Sequence, residues 1–464
     1  MIRKYSRIDT GYLYKKLKKV TSVSILLNNG VFYTKRISAL RIMFKVFLET
    51  FGCQMNVADS DMLADLLAER GYRQTDSAGD ADLIIVNTCS VRERAENRAK
   101  VRITQYARMK KPSQQLWVVG CMAQRLGDTL QQEIPGIDRV IGAEKLEYIA
   151  NDIDTLLAER IGTEAYPDAP GRGIAAFLSI MRGCDNYCAY CIVPYVRGRE
   201  HSIPAGRLKK QAEEMVAHGT REITLLGQNV NSYRDDSRDF ADLIHILHDI
   251  DGLKRLRFTT SHPRDLSDKL IRTMAELPGV CNHIHLPVQS GSTRILTKMN
   301  RKYTREHYLE RIELLRQQIP DVDITTDVMV GFPGETENDY RHTLSLFEQV
   351  RFTAAFMFSY SVRPGTKAAA MDNQVPEKVR KERLKGLVDL QTEITRDAYR
   401  AMVGRTAEVL FTGRQDRKDR AWMGQDYGCK RILLSCREDI AGMILKVNII
   451  KSTGMTLIAE RSAP

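Results

Sequence analysis

The 464-residue chain contains no apolar run approaching the roughly 20 residues that a membrane-spanning helix requires. Its best early apolar stretch, Val23 to Leu27, is too short for a secretory h-region and has no clear cleavage site after it. A cytoplasmic protein with no membrane association is the expectation. An even complement of cysteines is lacking too. Nine are present, and three of them crowd into eight positions. That argues against a disulfide framework and for metal chemistry in a reducing compartment. Charge is lacking where a nucleic-acid groove would need it. The net charge is +12, but residues 1–43 carry ten Lys/Arg against one acid, and residues 404–464 carry eleven against seven. The long middle is therefore close to neutral, and the basic excess sits at the two ends. Of these, only the C-terminal excess falls in a segment that reads as folded.

Residues 1–43 show no sustained helical or strand period. Lys15, Lys16, Lys18 and Lys19 would suit an RNA-contacting arm. The preferred reading is a poorly ordered basic extension, because Met43 directly precedes the first convincing strand. A chain begun at Met43 is expected to fold and work. The remaining length allows two or three domains.

What is present concentrates in ten residues, Arg182-Gly183-Cys184-Asp185-Asn186-Tyr187-Cys188-Ala189-Tyr190-Cys191. The spacing is C-x3-C-x2-C. Thiolates this close face one centre only if the backbone wraps around it. Structural zinc normally takes four protein ligands, and an iron–sulfur cluster is usually held by four cysteines. Three cysteines on a [4Fe–4S] cluster leave one iron open to an outside ligand.

Ahead of this motif the pattern is strand, loop, helix. Lys45-Val46-Phe47-Leu48-Glu49 reads as a strand, with Cys53 in the loop after it and a helix over about 58–70. Leu83-Ile84-Ile85-Val86 is a continuous apolar run, as in a buried parallel strand, and Cys89 follows. Leu116-Trp117-Val118-Val119 is a third strand, and Cys121 follows that. A helix fills most of 91–109, and a short strand near Val140 and a helix over about 144–159 complete the unit. Ligands in open α/β sheets bind beyond the carboxyl ends of the strands. Cys53, Cys89 and Cys121 are therefore expected to share a second cluster. Cys281, Cys429 and Cys436 lack this placement and are taken as structural.

A Gly- and Pro-rich linker spans about 162–173. Six βα units follow, with strands near 176–180, 222–226, 255–258, 283–286, 323–329 and 354–358, then a long helix over about 377–402. Six units fit a partial barrel better than a closed eight-stranded one. Polar groups gather at the later strand ends: Gln228 and Asn229, Ser261, Gln289, and Asp327 within the fifth strand. Residues 404–464 alternate in short runs that predict a small antiparallel β-barrel akin to oligonucleotide-binding folds. There Arg414, Arg417, Lys418 and Arg420 precede Trp422 and Tyr427, a combination suited to stacking on RNA bases. The alternative is a solvated hairpin with a core tryptophan. The fold class is α/β, divided into 1–43, 44–165, 172–403 and 404–464.

The cysteine spacing, with an aromatic residue before the last cysteine, resembles the radical S-adenosylmethionine (SAM) superfamily. Glu49-Thr50-Phe51-Gly52-Cys53-Gln54-Met55-Asn56, Asn87-Thr88-Cys89-Ser90-Val91-Arg92-Glu93, and Leu286-Pro287-Val288-Gln289-Ser290-Gly291-Ser292 followed by Met299-Asn300-Arg301 resemble its methylthiotransferase family, in the branch that acts on tRNA bearing N6-dimethylallyladenosine. The likeness runs from about Lys45 to the C-terminus. It implies a cluster domain, a radical SAM barrel and a C-terminal RNA-binding TRAM domain. It implies two [4Fe–4S] clusters, on Cys184/Cys188/Cys191 and on Cys53/Cys89/Cys121, with SAM bound at the first. Tyr190 would offer backbone hydrogen bonds to the SAM adenine, and Gln228, Asn229, Ser261, Gln289 and Asp327 would contact SAM or substrate. The implied reaction methylthiolates C2 of N6-isopentenyladenosine at position 37 in the tRNA anticodon loop. A monomer and an electron donor such as flavodoxin or ferredoxin go with it. Action on threonylcarbamoyl-adenosine or on a ribosomal-protein aspartate, or a non-enzymatic Fe–S RNA-binding protein, are the alternatives.

Overall fold

Leu83–Thr88 is buried at every position, as a parallel strand with both faces covered must be. It is the central strand of a five-stranded sheet in a computed structural model that describes residues 44–91, 93–150, 152–153, 156, 173–415 and 421–462. The basic extension 1–43, nearly all of the linker, and Arg417, Lys418 and Arg420 lie outside the described residues. The sheet comprises β1 (Lys45–Thr50), β2 (Arg73–Gln74), β3 (Leu83–Thr88), β4 (Gln115–Gly120) and β5 (Arg139–Gly142), in the order β2-β1-β3-β4-β5. Every pairing is parallel. Alternate side chains enter opposite faces. Leu83 and Ile85 pack with Leu63 and Leu67 of the helix Gln54–Glu69. Ile84 and Val86 pack with Ala99, Ile103 and Tyr106 of the helix Glu93–Met109. The two-residue edge strand β2 is too short to leave a sequence period. The helix expected from 144 begins as a 3-10 turn over Ala143–Tyr148, and its later part falls largely outside the described residues.

The second unit begins with β6 (Ala175–Ser179). A two-residue pairing, β7 (Met181–Arg182) with β8 (His201–Ser202), encloses the cysteine loop, and β9 (Glu222–Leu226) follows. A short hairpin, β10 (Arg234–Asp235) and β11 (Arg238–Asp239), leads to β12 (Arg255–Thr259), β13 (His283–His285), β14 (Asp323–Val330) and β15 (Ala354–Ser359). The six long strands form two parallel triplets, β6-β9-β12 and β13-β14-β15. A parallel bridge between Leu256 and Val280 joins them. Helices return the chain between strands. Ser267, Thr304 and Thr336 cap three of them by accepting backbone N–H bonds, which meets otherwise orphaned donors. The long helix Glu377–Arg400 closes the unit by placing Leu387 and Ile394 in the same core.

The C-terminal unit is a closed barrel of β16 (Thr406–Arg414), β17 (Trp422–Gln425), β18 (Arg431–Leu434), β19 (Ile444–Ser452) and β20 (Leu457–Arg461). Its order is β16-β17-β18-β20-β19, and β18 pairs with β20 in parallel. The other four pairings are antiparallel, so the expected small antiparallel barrel is present with one parallel pair. The unit is seated on the amino ends of the second unit's strands. Arg255 opens β12 and donates to the carbonyls of Gln425 (2.7 Å) and Glu408 (2.9 Å), its guanidinium 4.3 Å from the Tyr427 ring centre. Arg257 donates to the carbonyls of Asp426, Tyr427 and Gly428 and pairs with Glu222 at 3.1 Å. Asp323, first in β14, pairs with Lys430. Among the described residues no helix is long and apolar enough to cross a membrane.

Candidate active site

The first triad is assembled from three strand ends. Cys53 follows β1 and precedes the helix Gln54–Glu69; Cys89 follows β3; Cys121 opens the helix Cys121–Leu126 directly after β4. Since β1, β3 and β4 are adjacent and in register, their ends bring the cysteines together. The Cys53 and Cys89 thiols are neighbours, Cys53 donating to Asn56 Oδ1 at 3.3 Å and Cys89 accepting from the Val91 N–H at 3.3 Å. Gly52, at φ +140°, makes this approach possible: a Cβ there would sit 2.5 Å from that of Cys89. The neighbouring Cys89 thiol holds Cys53 down at about 6, and Cys53, with burial, pushes Cys89 up. Burial also raises Cys121. Beneath them Asn87 donates to the carbonyl of Asn56 and to Ser60 Oγ, both at 2.9 Å, and Asn56 donates to the Thr88 carbonyl at 2.9 Å. These buried amides tie the helix after β1 to the end of β3, and Thr88 Oγ1 ties that end to β4 by donating to the Val119 carbonyl at 2.6 Å. Among the described residues no group of three or more His, Cys, Asp or Glu side chains converges on a single-ion site.

The second triad sits in one loop. Gly183 starts it at φ +78°, where a Cβ would fall 2.0 Å from the Arg199 carbonyl oxygen. Cys184 N donates to the Gly198 carbonyl and Cys191 N to the Cys188 carbonyl, so the loop folds back on itself. Met299-Asn300-Arg301 straps it from outside. Asn300 donates to the carbonyls of Asn186 (3.2 Å) and Tyr187 (2.9 Å), and Arg301 Nη1 lies 3.5 Å from Cys188 Sγ. Burial raises Cys184 and takes Cys191 up to about 12, with Cys188 adding to both. The three thiols therefore share one neighbourhood. The ring of Tyr190 packs under the loop against Ile295, Met299, Phe332 and Tyr360.

Around this loop, buried polar atoms lack protein partners. They are both amide atoms of Gln228, Asn229 Oδ1, Ser261 Oγ, His262 Nε2 and Tyr360 Oη. Buried polar groups are normally satisfied, so this set at the carboxyl ends of β9, β12 and β15 is what a polar ligand such as SAM would complete. Asn229 is half committed, since its Nδ2 donates to Asp265 at 2.8 Å. Gln289 is held at φ +64° by backbone bonds to Asp327 and Met329. Asp327 Oδ1 lies 3.4 Å from His285 Nε2. Burial, with Arg301 and Arg264 adding to it, drives His262 down to about 2, so its ring is neutral at working pH. Arg301 lies inside a motif visible in the sequence and His262 directly follows Ser261, but only the fold brings them beside the loop.

The two triads belong to units in direct contact. Met55 and Ala58 pack on Leu226, with Cys53 and Phe177 against them. Arg363 donates to the carbonyls of Ser90 (2.8 Å) and Val91 (2.6 Å), just after Cys89. Arg197, beyond the cysteine loop, reaches Cys121 Sγ at 3.1 Å and Asp59 at 2.9 Å.

The expected RNA platform is corrected. Trp422 is 4% exposed and lies in the C-terminal core. Its Nε1 donates to the Glu438 carbonyl at 2.9 Å, and Arg414 lies 4.6 Å from its ring centre. A ring closed on both counts offers no face to a base. Arg414 remains at the surface, and Arg417, Lys418 and Arg420 lie outside the described residues.

Two family models match the chain. One described as Radical SAM superfamily matches residues 178–347, and one described as Uncharacterized protein family UPF0004 matches residues 45–142. The chain is 43% identical over 429 residues to a tRNA-2-methylthio-N(6)-dimethylallyladenosine synthase of Caldicellulosiruptor saccharolyticus, covering 89% of this chain and 91% of that one. It is 44% identical to the protein of the same name in Syntrophus aciditrophicus, covering 88% of each. Among solved structures, the radical S-adenosylmethionine methyltransferase TsrM from Kitasatospora setae, with cobalamin and a [4Fe–4S] cluster bound, has TM-score 0.54 at 16% identity, over 70% of this chain and 77% of that one. That likeness is one of fold. With thiol triads and an unsatisfied polar rim suited to iron–sulfur and SAM binding, and with relatives this similar over nearly their whole length, the chain belongs to the tRNA-2-methylthio-N(6)-dimethylallyladenosine synthase family of radical SAM enzymes.

Proposed function

We propose that this enzyme replaces the C2 hydrogen of N6-isopentenyladenosine, at position 37 of the tRNA anticodon loop, by a methylthio group. It would use SAM in two roles and two [4Fe–4S] clusters, one on Cys184, Cys188 and Cys191, the other on Cys53, Cys89 and Cys121. The observation that carries the reading is two triads at the carboxyl ends of strands in two units that pack on each other through Met55, Ala58 and Leu226. An aromatic C–H has no acidic proton, so acid–base side chains alone would not remove it. When bound, the open-iron cluster with SAM supplies one-electron chemistry and the other cluster supplies sulfur.

The protein's own part is to bind, orient and exclude water. Gln228, Asn229 Oδ1, Ser261 and the neutral His262 present unpaired polar atoms to SAM or substrate, and the backbone at Tyr190 would meet the SAM adenine. Gln289 and Asp327 lie on the same rim. Arg301 steadies Cys188. The working divisions are 44–165 for the sulfur-supplying site, 172–403 for the radical SAM barrel and 404–464 for RNA contact, the last through Arg414, Arg417, Lys418 and Arg420. Because that unit is seated on the amino ends of the strands, RNA held there must extend past a strand as long as β14, about 26 Å at 3.3 Å per residue, to bring its loop to the rim. The target base must leave its stack, at a cost of a few kcal/mol that is least in a single-stranded loop. A flavodoxin or ferredoxin would deliver electrons, and the chain would act as a monomer in the cytoplasm.

Nucleoside mass spectrometry of tRNA from a strain lacking this gene tests the assignment. The 2-methylthio nucleoside should vanish and its N6-isopentenyl precursor accumulate, with recovery on expression of the chain from Met43. Loss of a methylthio group from threonylcarbamoyl-adenosine instead would refute the substrate assignment.

A further inference from the structure

Asp59 is 1% exposed and belongs to the helix that starts beside Cys53. Two arginines of the radical SAM unit converge on it. Arg197 Nη2 meets Oδ2 at 2.9 Å, and Arg182 Nη2 approaches Oδ1 at 3.5 Å. They bracket the cysteine motif, Arg182 two residues before Cys184 and Arg197 six after Cys191. The Arg197 side chain is only 5% exposed, and its Nε donates to Cys121 Sγ at 3.1 Å. A buried arginine needs its full set of partners. Here one is a carboxylate and another is a sulfur.

We infer that Arg197 is a positioning residue for the N-terminal cysteine site: held by Asp59, it aims a charged N–H at the Cys121 sulfur, while the Arg182–Asp59–Arg197 network fixes the spacing between the two triads. The inference rests on the reading that Cys121 ligates a cluster. Hydrogen bonds to ligand sulfurs and nearby positive charge stabilise the more negative, reduced state of a cluster and so raise its potential. Residues outside the ligand set that hold a ligand this way act on affinity and potential as well as on turnover. Asp59 acts in the opposite sense, since its negative charge offsets that of the guanidinium.

The test uses full-length protein carrying Ala at Cys184, Cys188 and Cys191, reconstituted with iron and sulfide, so that only the N-terminal site is read. Iron near four per chain is expected. Arg197→Gln should then lower the midpoint potential, reducing the ratio of reduced to oxidised cluster about tenfold at fixed potential, which is 59 mV for one electron. Asp59→Asn should shift the potential upward, because the guanidinium stays beside Cys121 with less of its charge offset. Arg197→Lys should recover part of the loss. A purely structural role would move both variants in the same direction or neither. Unchanged potentials, or shifts of one sign in Arg197→Gln and Asp59→Asn, overturn the inference while leaving the second cluster standing. No iron in the starting protein overturns both. If Arg197→Gln alone fails to fold because Asp59 is left unpaired, the Arg197→Gln/Asp59→Asn double variant removes both charges together. Its potential, compared with that of Asp59→Asn, should be lower by the same ratio, and equality of the two overturns the inference.

Discussion

Cys184, Cys188 and Cys191 come from a single loop, whereas Cys53, Cys89 and Cys121 come from three strand ends far apart in the chain. The loop gathers its three cysteines in one short turn, held by a strap from Met299-Asn300-Arg301. Gly183 permits its turn, and two carbonyl contacts from Asn300 strap it. The assembled triad needs the sheet order β1-β3-β4, the amides of Asn56 and Asn87, and a guanidinium from a different unit. A site written in a short motif is robust to the rest of the fold. A site written in topology is sensitive to packing at a distance.

The largest expected effect lies on the loop side. Cys188→Ala should abolish formation of 5′-deoxyadenosine from SAM under reducing conditions, because the iron site proposed to bind SAM would be lost. Iron should fall from about eight to about four per chain. Full 5′-deoxyadenosine formation in this variant would erase the distinction between the sites.

Sensitivity to packing can be read on the other side. Gly52→Ala would put a Cβ within 2.5 Å of Cys89 Cβ at a positive φ, and should cost about 1–3 kcal/mol. It should deplete iron from the N-terminal site while 5′-deoxyadenosine continues to form. An unaltered iron count would mean that the sheet end yields more easily than its packing implies.

A smaller effect separates the thiols of the assembled site before iron is added. The neighbouring Cys89 thiol holds Cys53 down at about 6, whereas burial raises Cys121. The thiolate is the reactive form. In iron-free protein Cys53 should be alkylated faster than Cys121 at neutral pH, and its rate should fall as the pH drops through about 6. Mass mapping after brief exposure to iodoacetamide gives both rates. A Cys53 rate that keeps rising to pH 9 would contradict the lowering of Cys53 by its neighbour.

How much was legible follows the same division. The C-x3-C-x2-C loop was plain from spacing alone. The apolar runs ending before Cys53, Cys89 and Cys121 gave the second triad too, since parallel strands align their ends. Six βα repeats and a long closing helix came from hydrophobic period. What stayed hidden depends on contacts between distant residues. Nothing near Asp59 in the chain points to Arg197, 138 positions away. Trp422 beside basic residues read as a surface platform, yet the β-barrel closes over it, because alternation says which residues share a face but not which face turns inward. The parallel pairing of β18 with β20 likewise depends on barrel closure.

The central claim is that the two triads do different work in one reaction. It is tested most directly by Cys89→Ala protein reconstituted with iron and sulfide and given SAM, reductant and isopentenylated tRNA. 5′-Deoxyadenosine and the methylthio nucleoside are measured in the same vessel, with iron and sulfide counted beforehand. The account predicts about four irons per chain, continued 5′-deoxyadenosine and no methylthio product. Full iron content with undiminished methylthio product would make Cys53, Cys89 and Cys121 structural and contradict it.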